Sequence, residues 1–279
     1  MIANKVIWMY WHSGMANTPS IVRICIDSWQ LRNPGWEVRV LDDSSLEKWV
    51  NMQDVRDKNP RITIQAFSDV LRWRLLAQHG GVWADATLYC CKGLDSWLPL
   101  CVSDKGFFCF RSPEIFLYHS WFLVGDPLNP TVKVMNLEIE RFFITFGGYL
   151  YYWDLRGVWR IWRLIENNIG IYNQEIWRSW IFRKFLKVTP YFIVMYLMGA
   201  AIARSPEADH DFKSVTMCFG EAPHALQQMT TEGVPPSVEA VRALLVGDCP
   251  VQKLSLKRYV EEWTQGGILE LLDGYTRNA

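Results

Sequence analysis

The sequence predicts an α/β fold, and three observations support that fold class. Residues 5–60 alternate between strand-like and helix-like segments, as in one half of a nucleotide-binding sheet. Residues 67–85 form an apolar helical segment, a glycine pair and an apolar strand-like segment that ends on an acid. Residues 141–187 are enriched in basic and aromatic side chains. We therefore expect a Rossmann-type sheet with an added helical subdomain that is rich in aromatic and basic residues.

The first sixty residues supply two predicted strand and helix pairs. Residues 5–12 are rich in β-forming side chains, and residues 19–31 place apolar side chains at helical spacing. An Asn-Pro-Gly turn at 33–35 leads into the second strand. The predicted elements are a strand at 5–12, a helix at 19–31, a strand at 36–41, a short helix at 44–50 and a polar connection at 51–60.

A buried helix and a buried strand are predicted on either side of the glycine pair. Strong helix formers fill residues 67–78, and Ser68 is a candidate N-cap. Gly80 and Gly81 end the helix because glycine tolerates the left-handed geometry of a C-cap. Residues 82–84 are apolar, as in a strand that is covered on both faces.

Three charged residues of this stretch are candidates for function. Asp69 and Arg72 lie one turn apart on a helix that is apolar nearly all round, where charges are costly unless paired or used. Asp85 follows the buried strand, at the edge where open α/β sheets bind ligands. Each has a structural alternative, since Asp69 and Arg72 would form only an ion pair and Asp85 would only cap a turn. Their combination around a glycine pair favours a site.

The rest of the chain predicts further elements and three parts. The predicted elements are short helices at 94–100, 237–246 and 266–278, strands at 107–111 and 116–124, and a helix after the turn at 126–127. Residues 188–203 are apolar but fall short of the ~20 residues of a spanning helix, so they should be buried or interfacial. We divide the chain into residues 1–130, 131–205 and 206–279.

Composition narrows the class of protein. The 279 residues are 50% hydrophobic, enough for one sizeable core. The formal net charge of zero gives no reason to expect nucleic-acid binding. Seven cysteines, an odd number without C-x-x-C spacing, favour neither a disulfide framework nor a zinc site and suggest a reducing compartment. No basic stretch followed by an apolar run begins the sequence, so no signal peptide is expected.

The central motif resembles a known family. Residues 68–87 contain S-D-x-x-R and then L-x-x-x-G-G-V-W-x-D-A-T, which resembles the core of retaining glycosyltransferases with an Asp-X-Asp sugar-binding region. The resemblance is greatest to the capsular polysaccharide synthesis branch and more distant to the glucosyltransferase domains of clostridial toxins. It extends over about residues 5–130 and includes Ser28-Trp29 and Asn33-Pro34. It implies a GT-A-like nucleotide-sugar-binding core at 1–130, a helical membrane-facing or acceptor part at 131–205, and a C-terminal part at 206–279 that closes the donor site.

The resemblance also implies roles for particular residues. Asp69 and Arg72 would hold sugar hydroxyls, Asp85 would contact ribose or sugar, and Trp8 would stack on the base. The alternative is that Trp8 is a core aromatic like Tyr10 and Trp11, since the chain has 15 tryptophans and any one of them is weak evidence. The other predicted donor-site residues are Gly81, Thr87, Lys253 and Lys257, with both lysines directed to the diphosphate. His119 and Ser120 are weaker candidates for the acceptor side, and a lone histidine is more often structural.

Two departures from the family pattern concern the metal. Thr87 stands where many relatives have the second Asp, and Gln252 stands where the family has a late His. Neutral oxygens are poorer ligands than carboxylates for a hard dication. We therefore predict that Mn²⁺ or Mg²⁺ binds weakly, through Asp85 and the substrate diphosphate, with no ion retained by the apo protein.

Residues 141–187 suggest contact with a membrane surface. They carry eight basic residues against three acidic ones, with five interleaved tryptophans, as in segments that lie in a membrane interface. The alternative is an ordinary helical subdomain whose tryptophans pack on the sheet. We expect a cytoplasmic protein held peripherally on the inner face of the cell membrane.

The predicted function is that of a retaining, nucleotide-sugar-dependent hexosyltransferase. The donor would be a UDP-sugar, and the acceptor a glycan or glycolipid, such as a lipid-linked bacterial surface polysaccharide. Two other functions remain open: an inactive membrane-surface scaffold of polysaccharide assembly, which the missing second Asp favours, and a nucleotide-sugar hydrolase, which would share the donor site. Slow hydrolysis of a UDP-sugar would exclude the scaffold, and products formed with and without acceptor would separate hydrolase from transferase.

Overall fold

The protein has an α/β fold built on a five-stranded mixed sheet. A computed structural model describes residues 4–112, 117–148, 159–165, 168, 176–177, 179, 181–182, 189–218 and 220–278. Its strands are β1 (Val6–Tyr10), β2 (Glu37–Leu41), β3 (Gly81–Ala84), β4 (Leu88–Cys90), β5 (Phe108–Arg111), β6 (Tyr118–Gly125) and β7 (Val251–Lys253). The central sheet has the order β2-β1-β3-β6-β5, and β4 pairs with β7 in a separate two-stranded sheet.

The parallel part of the sheet positions one functional edge. β1 pairs in parallel with both β2 and β3, so the carboxyl ends of all three strands lie at the same edge. β6 is antiparallel to β3, and the pairing of Ala84 with Phe122 brings the first half of β6 to that edge. This confirms the predicted α/β class, and the antiparallel pairing of β6 with β3 and β5 makes the sheet mixed.

Eleven α-helices lie in the described part of the chain. They are α1 (Ser20–Arg32), α2 (Gln53–Lys58), α3 (Ile64–His79), α4 (Pro130–Glu140), α5 (Trp159–Ile165), α6 (Ile193–Ala203), α7 (Pro206–Ser214), α8 (Ala225–Met229), α9 (Val238–Val246), α10 (Val260–Gln265) and α11 (Ile268–Arg277). α1 packs against β4 and α11, and α4 packs against α3, α6 and α7. Every residue of β1 and β3 is buried, as expected of strands in a sheet that is covered on both faces.

The helix before the glycine pair begins earlier than the sequence pattern predicts. Thr63, not Ser68, is its N-cap, and the Thr63 hydroxyl accepts a hydrogen bond from the backbone N–H of Ala66. Ser68 lies inside α3, where its hydroxyl accepts a hydrogen bond from Arg72 at 3.3 Å. The predicted end is confirmed, since Gly80 is the C-cap with φ of 68°.

Several other segments differ from their predictions. The polar connection predicted at 51–60 contains α2, and β4 and β7 have no counterpart in the predicted list. The short helices predicted at 44–50 and 94–100 are 3₁₀ turns instead, at Leu46–Lys48, Leu94–Ser96 and Leu98–Leu100. Such segments are too short for sequence periodicity to distinguish them from loops.

The segment that is predicted to form a helical subdomain is only partly described. Most of 141–187 lies outside the described residues, so the predicted subdomain and its tryptophan-rich surface stay predictions. In the described part of the chain, no helix is long and apolar enough to cross a membrane. The predicted boundaries at 130 and 205 likewise stay predictions.

Candidate active site

A pocket of about 310 Å³ opens at the edge where β1 and β3 end. This volume lies at the lower end of the range of small-molecule sites. Its walls come from the end of β1, the first half of α3, the turn after β3, the middle of β6, the start of α6 and the end of β7. The lining residues from these elements include Tyr10, Trp11, Gln65, Ser68, Asp69, Arg72, Trp83, Asp85, Thr87, Ser120, Trp121, Tyr191, Phe192, Met195 and Lys253.

The three charged residues predicted from the central motif come together in this pocket. One terminal nitrogen of Arg72 lies 3.1 Å from Asp69 and 3.4 Å from Asp85. Asp69 therefore belongs to an ion pair within α3, as the structural alternative requires, but the same guanidinium also reaches across to the turn after β3. The structure thus joins all three residues at the pocket and does not leave them as separate local features.

Arg72 is fixed by the backbone around it. It is only 4% exposed, and its guanidinium donates to the carbonyl oxygens of Ser68 and Ser120. The guanidinium also lies over the Trp83 ring at 5.1 Å from the centroid. These contacts satisfy a buried charge, so the orientation of Arg72 toward the pocket is set before any ligand binds.

Asp69 is a carboxyl group held in an unusual electrostatic state. Its pKa is raised to about 6, mainly by burial and further by the negative charge of Asp85. The Arg72 charge and a hydrogen bond from the Ser120 side chain oppose the rise. A buried carboxyl group with a strongly raised pKa in a cleft is typical of a functional site.

Lys253 reaches the same pocket from the distant end of the chain. β7 pairs with β4 so that Lys253 lies opposite Leu88, beside the turn that carries Asp85 and Thr87. The Lys253 ammonium donates to the Thr87 hydroxyl, lies 3.2 Å from the Leu254 carbonyl oxygen and lies 3.8 Å from Asp85. Its predicted partner in the late segment, Lys257, is exposed and does not line the pocket.

The side chains around Asp85 do not fit a divalent cation well. One carboxylate oxygen accepts a hydrogen bond from the Trp83 indole at 2.9 Å and also faces Arg72. The other oxygen faces Lys253. A dication would have to displace or adjoin two positive groups, and the described residues contain no cluster of three or more His, Cys, Asp or Glu that could hold a metal.

Trp8 does not reach the pocket, which corrects its predicted role on the base. Its side chain is 0% exposed in the middle of β1, and its indole N–H donates to the carbonyl of Gly80 at 2.9 Å. The ring packs against Trp49 and His79. A fully buried ring has no free face for a base, so Trp8 is a core aromatic. Tyr10 and Trp11, at the end of the same strand, line the pocket instead.

Gly81 is also misassigned as a donor-site residue. It begins β3, opposite Gly125, whereas Asp85 follows the other end of that strand. A Cβ atom at Gly81 would lie 2.6 Å from the carbonyl oxygen of Val6, and its φ is +100°. The glycine is therefore required by close strand packing and by backbone geometry.

The two acceptor candidates separate in the structure. Ser120 lines the pocket and accepts a hydrogen bond from Arg72 through its carbonyl. His119 points away, toward His224 and the backbone of Gly220. The pKa of His119 is lowered to about 4, mainly by burial and also by the neighbouring His224. His119 therefore has the environment of a neutral structural histidine.

Gln252 has a structural role and is not placed to coordinate a metal ion in the pocket. Its amide accepts from the backbone N–H of Leu226 and donates to the carbonyl of Ala222, both at 3.1 Å. Because successive side chains of a strand point to opposite sides, Gln252 points away from the pocket that Lys253 enters. It secures the 222–226 turn against β7.

Aromatic residues form the part of the pocket that sequence reasoning missed. Tyr10, Trp11, Trp83 and Trp121 all line it, and the Tyr10 hydroxyl donates to Asp43 at 2.6 Å. Tyr10 also lines an adjoining pocket of about 300 Å³ that contains Asp43, Arg56 and Asn59. The sequence could have indicated Tyr10 and Trp83 as pocket residues, because both lie near the ends of the predicted strands β1 and β3. No local pattern brings Trp121 to the site, since its place depends on β3–β6 pairing.

Comparison with known proteins gives one family match and two curated relatives. Residues 2–152 match the family described as capsular polysaccharide synthesis protein. The glycosyltransferase afumC of Aspergillus fumigatus is 29% identical over 32% of this chain and 26% of its own length. The O-glycosyltransferase braB of Annulohypoxylon truncatum is 26% identical over 47% of this chain and 36% of its own length. The chain thus spans about a quarter to a third of the length of these fungal relatives.

A solved structure, named PaToxG Glycosyltransferase, is also similar. It covers 76% of this chain and 86% of its own chain, with a TM-score of 0.35 and 14% sequence identity. The family match contains all five strands of the central sheet, whereas β7 and Lys253 lie beyond it.

Proposed function

The chain belongs to the capsular polysaccharide synthesis protein family, and from that premise we propose that it is a glycosyltransferase using a nucleotide-activated sugar. The observation that carries the proposal is the convergence of Asp69, Arg72, Asp85 and Lys253 on one pocket at the carboxyl edge of β1 and β3. Open α/β sheets bind nucleotides at this edge. The two curated relatives, both named as glycosyltransferases, support the same reaction class.

Different charged groups bind the sugar and the diphosphate of the donor. Asp69 and Arg72 hold sugar hydroxyls, because a carboxylate and a guanidinium together offer acceptors and donors in a fixed arrangement. Lys253 faces the diphosphate, whose charge grows as the bond to the sugar breaks. Asp85 lies between Arg72 and Lys253 and orients both side chains. Its carboxylate is held in turn by a hydrogen bond from the Trp83 indole.

The donor that we propose is UDP-linked. Its nucleoside extends from the main pocket past Tyr10 into the adjoining pocket with Asp43 and Arg56. The Tyr10 ring, which lines both pockets, takes the place of Trp8 as the aromatic surface beside the base. The sequence resemblance is the basis for the uridine nucleotide, and the shared Tyr10 wall is the basis for this path.

The proposed stereochemical course is retention by front-face transfer. Among the described lining residues, the carboxylates are Asp69 and Asp85, and both are paired with Arg72. Neither is presented as a free nucleophile for a covalent glycosyl intermediate. In front-face transfer the departing phosphate oxygen takes the proton of the acceptor hydroxyl, so the protein needs no nucleophile of its own.

The acceptor is proposed to be a glycan or glycolipid that enters past the start of α6. Tyr191, Phe192 and Met195 line the pocket on that side and follow the basic, tryptophan-rich segment 141–187. Aromatic rings beside polar groups are suited to stacking on a sugar ring. We further propose that 141–187 contacts the cytoplasmic surface of a membrane and brings a lipid-linked acceptor to this entrance.

A screen with nucleotide sugars tests the proposal. Purified protein is expected to unfold at a higher temperature with a UDP-sugar than with a matched ADP-sugar or GDP-sugar. Product analysis should then show sugar on an added acceptor and only slow release of free sugar without it. Equal release with and without acceptor would indicate a hydrolase, and absence of both binding and turnover would favour the scaffold.

A further inference from the structure

The Lys253 ammonium occupies an oxygen-lined position of the kind that a metal ion would otherwise occupy. It faces Asp85, the Thr87 hydroxyl and the Leu254 carbonyl. Two of these oxygens, those of Asp85 and Thr87, belong to the turn between β3 and β4. The side chain is only 17% exposed, so this placement is built into the fold and is not a chance surface contact.

The fold holds Lys253 there by backbone pairing. β7 and β4 form a two-stranded sheet whose register sets Lys253 beside Leu88, and the Leu254 N–H donates to the Thr87 carbonyl at 2.9 Å. The ammonium is therefore tied to the turn 85–88 through both strand pairing and its own side chain. A flexible surface lysine would not be restrained in this way.

The charge at the pocket argues in the same direction. Arg72 and Lys253 face opposite oxygens of the Asp85 carboxylate, leaving one net positive charge among these three groups. Above the raised pKa of Asp69, about 6, its carboxylate balances that charge, so the four groups together offer no excess of negative charge to a dication. Burial lowers the pKa of Lys253, and the Asp85 charge opposes that effect only in part. A bound diphosphate would oppose it further and favour the protonated amine.

We propose that Lys253 replaces the divalent metal at the donor diphosphate, so that donor binding is independent of metal. The inference rests on the proposed function. In the transfer step the bond between the anomeric carbon and the terminal phosphate oxygen breaks, and that oxygen keeps the electron pair. The acceptor oxygen forms the new bond to the anomeric carbon and passes its proton to the phosphate. Lys253 stabilises the developing phosphate charge with no change of its own protonation. This replaces the weak Mn²⁺ or Mg²⁺ site predicted from Asp85.

The first experiment needs only the wild-type protein. Calorimetry with UDP is carried out in EDTA and then with millimolar Mn²⁺ or Mg²⁺. We expect the two dissociation constants to agree within about threefold, since the ammonium already supplies the cation. Binding that is tighter by about tenfold or more with metal would overturn the inference.

Variants test whether Lys253 is the group responsible. Lys253→Met keeps the length of the side chain but removes its charge, so UDP binding in EDTA should weaken by about tenfold or more. Because this change frees the oxygens of Asp85 and Thr87, Mn²⁺ should partly restore binding. A metal dependence that appears only in Lys253→Met is not expected from a purely structural lysine. Lys253→Arg should retain metal-independent binding.

Lys92→Met is the matched control. Lys92 adjoins the other end of the β4–β7 sheet, pairs with Asp248 and does not line the pocket. Its loss should leave UDP binding unchanged with or without metal. Unchanged UDP binding by folded Lys253→Met in EDTA would contradict the assignment.

The outcomes separate this inference from the proposed function. Wild-type binding of UDP that appears only with metal would refute the role of Lys253 and leave a nucleotide-sugar transferase in place. Failure to bind UDP under both conditions would refute the UDP donor and, with it, the present inference.

Discussion

Asp85 has more polar partners than an aspartate that merely caps a turn. Its carboxylate meets Trp83, Arg72 and Lys253, and its backbone N–H donates to the Trp121 carbonyl at 2.9 Å. The backbone bond fixes the turn, and the carboxylate fixes the two cations that face the pocket. Asp85 therefore stabilises the fold through its backbone N–H and serves the proposed chemistry through its carboxylate.

Asp85→Asn should abolish transfer while the protein stays folded. The amide keeps the shape of the side chain and the backbone bond, but it no longer holds Arg72 and Lys253 by charge. We expect a transfer rate below about a tenth of wild type, equivalent to at least ~1.4 kcal/mol of barrier. The exposed Asp95→Asn should leave the rate unchanged. A rate above that limit in folded Asp85→Asn would remove Asp85 from the proposed mechanism.

Trp8 variants should lose stability rather than nucleotide affinity. Trp8→Ala leaves a large cavity in the centre of the sheet, which typically costs about 3–5 kcal/mol. Trp8→Phe removes less volume and should fold well enough for calorimetry. UDP affinity of Trp8→Phe is expected to equal that of wild type, and a loss of about tenfold or more would restore the base-stacking role.

The contrast between Asp85 and Trp8 explains what the sequence reveals about single residues. A charge in an otherwise apolar stretch is conspicuous, because burial penalises it unless it is used. An aromatic residue in an apolar strand is not conspicuous, since the same aromatic residue types fill core positions and base-stacking positions. Trp8 and Tyr10 point to the same face of β1, and only their distance from the strand end separates core from pocket.

At the scale of elements, the segment from α3 to β3 joins the site to the scaffold. Its helix, glycine pair and strand could be predicted because periodicity and glycine are strong local signals. The predicted N-cap at Ser68 was wrong, since Thr63 also has a capping side chain and begins the helix one turn earlier. The β4–β7 pairing could not be predicted, because strands of three residues carry almost no pattern of their own.

Gly81→Ala should disrupt the entry into β3. The added methyl would meet Val6, and φ of +100° is unfavourable for any side chain. We expect a loss of roughly 1–3 kcal/mol or more in the free energy of unfolding, measured with denaturant. Gly274→Ala is the control. A Cβ there meets nothing within 4 Å in α11, so this change should raise stability by about 0.5–1 kcal/mol. Gly81→Ala with wild-type stability would contradict the packing described at Val6.

At the scale of the whole molecule, the raised pKa of Asp69 makes the free energy of unfolding depend on pH. The folded protein binds a proton at Asp69 below about pH 6, whereas the unfolded chain binds it only near the ordinary value of 3.8. The stabilising effect of this proton is complete below about pH 4 and is lost as the pH rises through 6.

Asp69→Asn should remove this pH dependence. Relative to wild type, the variant should gain stability progressively from pH 4 to pH 7, by at most on the order of 3 kcal/mol. Transfer should be lost at every pH, because the amide cannot replace the carboxylate at the sugar. In wild type, kcat/KM should fall as the pH decreases through about 6. Parallel stability curves for the two proteins between pH 4 and 7 would refute the raised pKa.

The pairing of β4 with β7 also determines when, during its synthesis, the protein becomes able to bind its proposed donor. Every strand of the central sheet has left the ribosome once the region through residue 125 is exposed. Lys253 lies 166 positions beyond its partner Thr87. At ~5–20 residues per second, the ribosome needs roughly six to twenty-six seconds more to make the chain as far as Lys253. A nascent chain can therefore fold its sheet and the Asp69–Arg72–Asp85 cluster while it still lacks the proposed diphosphate cation. Donor binding by ribosome-bound chains should begin only after the segment around residue 253 has emerged.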